Sequence, residues 1–191
     1  MQQSGEYRIG APIDAVWRAL NDPDVLKQCI DGCESMERVA DDAFKAVVKA
    51  RVGPLSATFT GDVTLADLDP PHAYRLEGAV KGGPAGFGKG VAKVRLSEDG
   101  PATVLRYDVE GTVGGKLAQV GQRLVDGAAR KMADDFFASF GEIVAPGASE
   151  KAPALEPAEV AAAARKGLAP VWWVIAGAVA AAAAAALVLT R

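Results

Sequence analysis

Residues 117–140, LAQVGQRLVDGAARKMADDFFASF, are where the chain changes its period. Leu117, Val120, Gly121, Leu124, Ala128, Met132, Phe136 and Phe140 recur at helical spacing and form one apolar stripe over roughly seven turns. Gln119, Arg123, Arg130 and Asp134 fall largely on the other side. A helix patterned in this way has to bury its stripe, and the residues upstream supply the surface.

Upstream the period is two. Phe44, Ala46, Val48, Ala50 and Val52 alternate with Lys45, Lys49 and Arg51. Leu55, Ala57, Phe59, Gly61, Val63 and Leu65 alternate with Ser, Thr and Asp. The same rhythm runs through Tyr74–Val80, Ala92–Leu96 and Leu105–Val113. Such alternation predicts antiparallel strands with one face buried and one wet. Further back, Ala11-Pro12 opens a helix carrying Val16, Trp17 and Leu20. Asn21-Asp22-Pro23 ends it and starts a second helix to about Gln28, after which Gly32 turns the chain. The expected fold is α+β: a curved antiparallel sheet wrapped around a long C-terminal helix, in a domain of residues 1–145.

Many inward strand positions are small, among them Ala46, Ala50, Ala57, Gly61, Gly78, Ala92 and Gly111. A sheet of this kind around one helix is expected to leave an apolar pocket. The wall candidates are Phe59, Leu76, Val94, Leu105 and Tyr107 from strands, and Leu117, Val120, Leu124 and Met132 from the helix. That lining suits an elongated hydrophobic molecule such as a lipid or an isoprenoid quinone. Phe87, in the glycine-rich stretch 81–90, is a candidate flap residue at the pocket mouth. Gly83 to Lys89 fits a phosphate loop by spacing, but Gly90 stands where Ser or Thr must hold magnesium, and a strand follows instead of a helix.

Catalytic and metal chemistry find little support. The one histidine, His72, follows Pro70-Pro71 in an expected turn, and Cys29 and Cys33 lack the ligands of a zinc site and the spacing of a redox pair. They are expected as free thiols, and no enzymatic activity is expected. A net charge of −3 gives no sign of a nucleic-acid partner.

The last segment has another character. Val171 to Thr190 carries no charge, begins with Val171-Trp172-Trp173, and is bracketed by Arg165-Lys166 and Arg191. A helix of that length spans roughly 30 Å, the thickness of a bilayer core. Residues 167–191 are expected to be a single-pass transmembrane tail anchor, joined by an Ala/Pro/Glu-rich linker, 146–166. The first thirty residues lack the pattern of a signal peptide, so the domain is expected on the cytoplasmic side of the inner membrane.

Three blocks carry a family resemblance: Ala11-Pro12 with Val16-Trp17 and Leu20-Asn21-Asp22-Pro23; Cys29-Ile30-Asp31-Gly32-Cys33-Glu34; and Ala85-Gly86-Phe87-Gly88-Lys89-Gly90-Val91-Ala92. In these the chain resembles the G subunit of carbon monoxide dehydrogenase, within the START-like, helix-grip superfamily. Asp31 stands where the commoner pattern has proline. The resemblance implies a membrane adaptor that recruits a molybdenum hydroxylase of the CO dehydrogenase or xanthine dehydrogenase type and binds a respiratory quinone, menaquinone or ubiquinone, with no covalent cofactor. The alternatives are an assembly or maturation factor for the hydroxylase, a generic lipid-binding START-like protein, or an enzyme acting on a hydrophobic substrate.

Overall fold

The structure is a computed structural model and describes residues 2–145. The expected linker and tail anchor lie outside the described residues. Among the described residues no helix is long and apolar enough to cross a membrane.

The elements run β1 (Gln2–Ile9), α1 (Ile13–Leu20), α2 (Pro23–Cys29), β2 (Cys33–Ala40), β3 (Ala43–Val52), β4 (Leu55–Asp69), β5 (Ala73–Lys81), β6 (Phe87–Asp99), β7 (Ala102–Gly114), α3 (Lys116–Gln119) and α4 (Gln122–Val144). A short 3-10 turn, Gly83–Ala85, links β5 to β6. All seven strands join one antiparallel sheet in the order β1-β7-β6-β5-β4-β3-β2. Successive strands from β2 to β7 are neighbours, and β1 closes the far edge on β7. The α1–α2 pair spans the connection between the two edges.

Local chemistry accounts for the two short helices. Pro12 stands at the N-cap of α1 in extended conformation, and Asp22 caps α2 by accepting from the Asp24 N–H at 2.9 Å. The start of α1 is tied to the sheet by Thr103, fully buried on β7, whose hydroxyl donates to the Ala11 carbonyl at 2.7 Å. That bond leaves no orphaned polar atom under the helix.

The strand faces follow the alternation. On β4, Phe59, Gly61, Val63 and Leu65 are buried while their neighbours are not. The core lies between this inner face and the helices, with Phe44, Val63, Leu105, Val109 and Phe140 at its centre. Each such side chain stabilises the fold by roughly 1.5–3 kcal/mol relative to exposure.

Two features depart from expectation. The C-terminal helix is not continuous: the chain breaks at Val120–Gly121, where Gly121 adopts φ +95, so α3 and α4 are separate. The buried face of α4 is also rotated from the expected stripe. Val125, Ala129, Ala133, Phe136, Phe137 and Phe140 are buried, Ala128 and Met132 are half-buried, and Leu124 is 50% exposed. The small residues face inward because they let the helix backbone approach the sheet closely.

Candidate hydrophobic-ligand site

The inner face of the sheet, α1, α2 and α4 enclose an apolar cavity. Leu76, Val94, Leu105 and Tyr107 line it, four of the residues expected from sequence. So do Leu20, Leu26, Phe44, Leu65, Tyr74, Ala92, Phe136 and Phe137, which sequence reasoning did not assign to it. The inward alternation of Phe44, Leu65 and Tyr74 was a usable signal for three of these. Phe137 carried none, because it lies beside the stripe. The free volume is about 30 Å³, room for about one or two water molecules. Sites for small organic ligands run to roughly 300 Å³ and more. In this conformation the space is closed, and a ligand requires α4 or its neighbours to move outward.

One wall is an aromatic stack at the β1 edge. Tyr7 stacks on Phe137 with centroids 4.1 Å apart, and Tyr107 lies 5.9 Å from Phe137 and 6.1 Å from Tyr7. Gly5 makes room for the Tyr107 ring: a Cβ there would meet Cε1 at 2.6 Å. The stack brings hydroxyl groups to this side of the cavity, and the buried Tyr74 lines it as well. Tyr7 donates its hydroxyl to Asp134 Oδ1 at 2.8 Å, and Gln3 Nε2 donates to the Tyr107 hydroxyl at 3.5 Å. Burial raises the pKa of both phenols, and for Tyr7 the bond to Asp134 raises it further. Both therefore stay protonated at neutral pH. The Tyr7 O–H is committed to Asp134, whereas the Tyr107 hydroxyl accepts from Gln3 and keeps its own O–H to donate to a carbonyl oxygen.

The other six expected residues lie elsewhere, five of them near the end of the domain where β3–β4, β5–β6 and β7–α3 turn. Phe59 is buried on β4 with its ring against Gly82, where a Cβ would meet it at 2.5 Å. Phe87 is 51% exposed beside Gly114. Leu117 is buried on α3, which packs on β7 and the 3-10 turn. Val120 and Leu124 stand over Gly53 of the β3–β4 hairpin. Met132 is half-buried two turns further along α4. Around these residues the concave face is only partly covered: Ala50, Leu55, Ala57, Val80 and Val113 are half-buried. Of the ten residues four thus line the inner cavity, five stand at a half-open apolar end, and Met132 belongs to neither.

Among the described residues no three His, Cys, Asp or Glu side chains come together to hold a metal. His72 is exposed in the β4–β5 turn. Cys29 is buried and its thiol is pushed up to about 12 by desolvation, so it is inert at neutral pH.

Comparison with known proteins agrees with this architecture. The family model for the G subunit of carbon monoxide dehydrogenase (CoxG) matches residues 5–145. A conserved protein from Geobacillus kaustophilus, known from its crystal structure, is 30% identical with a TM-score of 0.72, over 76% of this chain and 95% of that one. A Thermus thermophilus protein is 17% identical with a TM-score of 0.59, over 78% of this chain and 100% of that one. The Zhui aromatase/cyclase from Streptomyces is 14% identical with a TM-score of 0.54, over 75% of this chain and 93% of that one. The last two share the fold alone. No curated protein sequence matches the chain.

Proposed function

The chain belongs to the CoxG family, named for the G subunit of carbon monoxide dehydrogenase, and on that premise we propose that it is a membrane-anchored adaptor carrying a hydrophobic ligand for a molybdenum hydroxylase. The observation that carries the ligand part is the apolar cavity between sheet and α4, walled on one side by Tyr107 and Phe137, on which Tyr7 stacks. An isoprenoid quinone suits it. The tail matches the aliphatic lining, and a quinone carbonyl finds a protonated donor in the Tyr107 hydroxyl. In this reading the protein works as a carrier and adaptor rather than as an enzyme. Electrons come from the hydroxylase, and the domain supplies the acceptor. The 171–190 segment holds the domain at the cytoplasmic membrane face.

The test is lipid extraction and mass spectrometry of the full chain purified in mild detergent. The expected result is menaquinone or ubiquinone in near-stoichiometric amount, with less retained by Tyr107→Phe, which removes the donor and leaves the ring. A second reading, an assembly factor that binds no quinone, is favoured by the small free volume of about 30 Å³. Preparations devoid of isoprenoid quinone, from cells in which the hydroxylase still reaches the membrane through this chain, would establish that second reading.

A further inference from the structure

The charge on the domain is unevenly distributed. None of the chain's 24 Asp and Glu residues falls in 50–58, 80–90 or 111–125, whereas Arg51, Lys81, Lys89, Lys116 and Arg123 do. The fold gathers these three segments at one end. Lys81 pairs in register with Phe87, and Phe87 with Gly114. Gly86 approaches Gly115, and Gly53 of the β3–β4 hairpin approaches Val120 and Leu124. All five cations are exposed, and none joins an ion pair among the described residues. Away from this end Arg8, Arg75, Arg95, Arg106 and Lys131 have acidic partners, while Arg18, Lys27, Arg38, Lys45, Lys49, Lys93 and Arg130 join no ion pair among the described residues, so the loop end is set apart by its lack of acids rather than by unpaired cations alone. The acids that flank these segments along the chain are Asp42, Asp62, Glu77, Glu98, Glu110 and Asp126.

Two exposed apolar side chains share this end. Phe87 is 51% exposed directly across from Lys81, and Leu124 is 50% exposed beside Arg123. Unpaired cations next to protruding apolar tips are what a negatively charged bilayer surface recognises: the cations meet phosphate headgroups and the apolar tips enter the acyl boundary. An acidic protein surface would match the charge, but it would leave Phe87 and Leu124 without a hydrocarbon layer to enter.

We propose that this loop end docks onto anionic lipid headgroups, with Phe87 and Leu124 dipping into the bilayer and the half-open apolar end of the domain facing the membrane. The proposal rests on the reading of the domain as a carrier working at a membrane, and it adds the route by which a ligand passes between bilayer and protein. The chain length permits it. The described chain ends just past Val144, at the opposite end of α4, about 35 Å away at helical rise. Residues 146–166 span up to about 70 Å when extended, so the tail and the loop end reach the same bilayer.

The test is hydrogen exchange of the full chain in vesicles of phosphatidylcholine, alone or mixed with phosphatidylglycerol. Each basic residue at an anionic surface contributes roughly fivefold. Peptides covering 82–90 and 114–124 should therefore exchange about tenfold or more slowly in the mixed vesicles. High salt should abolish the difference in the wild-type chain. Combined Arg51→Glu, Lys81→Glu, Lys89→Glu and Arg123→Glu should abolish it while protection at 91–99 of β6 and 102–113 of β7 is unchanged. Equal exchange in both vesicle types overturns the proposal, and so does slowing that appears only with an acidic partner protein. Flotation with pure phosphatidylcholine vesicles at high salt reports the tail alone, so a failure of the anchor is read separately from a failure of the docking surface.

Discussion

Gly86 is the residue on which the β5–β6 connection turns. It adopts φ +114, and a Cβ there would lie 2.1 Å from the Gly114 carbonyl oxygen. Both the backbone conformation and the space exclude a side chain. Gly86→Ala is expected to destabilise the domain by about 2–4 kcal/mol, read from the midpoint of urea unfolding. Gly83→Ala is the control: φ is +54 with open space around it, and the cost should be only about 1–2 kcal/mol. Cys29 gives a second prediction at this scale. Its folded thiol is raised from 9.0 to about 12 by burial, so the unfolded chain releases a proton that the folded chain keeps. The contribution is full below pH 9 and lost as pH rises toward 12. Tyr7, Tyr74 and Tyr107 are shifted in the same direction, each chiefly by burial, and steepen the loss above pH 10. Thermal midpoints should therefore be flat to about pH 9 and fall beyond it, with a shallower fall in Cys29→Ala. At about pH 8 iodoacetamide should modify the half-buried Cys33 and spare Cys29 until the protein unfolds, as intact mass will register.

At the scale of elements, the strands declared themselves wherever one face is buried. Phe44–Val52 and Leu55–Leu65 alternate because their even and odd residues meet different surroundings. β2 was not legible for the same reason. It is an edge strand on which only Met36 is buried, so no period separates its faces. On α4 the difficulty is that neighbours are equally apolar: Leu124 with Val125, Ala128 with Ala129, Met132 with Ala133. Size favours Leu124 and Met132 as core and does not separate Ala128 from Ala129, and the break at Gly121 resets the phase carried over from Leu117. Where the two differ in size the observed core takes the smaller partner, Val125 over Leu124 and Ala133 over Met132, because close approach of helix and sheet counts for more than the bulk of one side chain. Two substitutions check this assignment by chemical denaturation. Ala133→Leu, at a fully buried position, should cost about 1–3 kcal/mol through overpacking. Leu124→Ala, half exposed, should change stability by less than about 1 kcal/mol.

For the whole molecule, the question is how a fold with about 30 Å³ of free interior takes up a ligand. Small inward residues suggested an open pocket from sequence, but of that set only Ala92 lines the cavity. Vacancy is a property of how the layers close, which periodicity along a chain does not encode. The conformation described is closed, so uptake needs a movement, and the break at Val120–Gly121 lets the start of α4 shift relative to α3 and the β3–β4 hairpin. That movement can be locked. A Cβ on Gly53 would lie 3.8 Å from Leu124 Cβ, the usual separation across a disulfide. In a Cys33→Ser background, Gly53→Cys with Leu124→Cys should form a bridge on oxidation. The φ of +56 at Gly53 costs about 1–2 kcal/mol, and closing a long loop contributes about 2–4 kcal/mol, so the oxidised protein should melt no lower than the reduced one. Uptake of a fluorescent quinone analogue should slow when the bridge forms and recover on reduction. Equal uptake in both states would mean that the hairpin and α4 do not part, and would move the path to the Tyr7–Tyr107 edge, where stacked rings and a hydroxyl bond to Asp134 hold β1 against the helix.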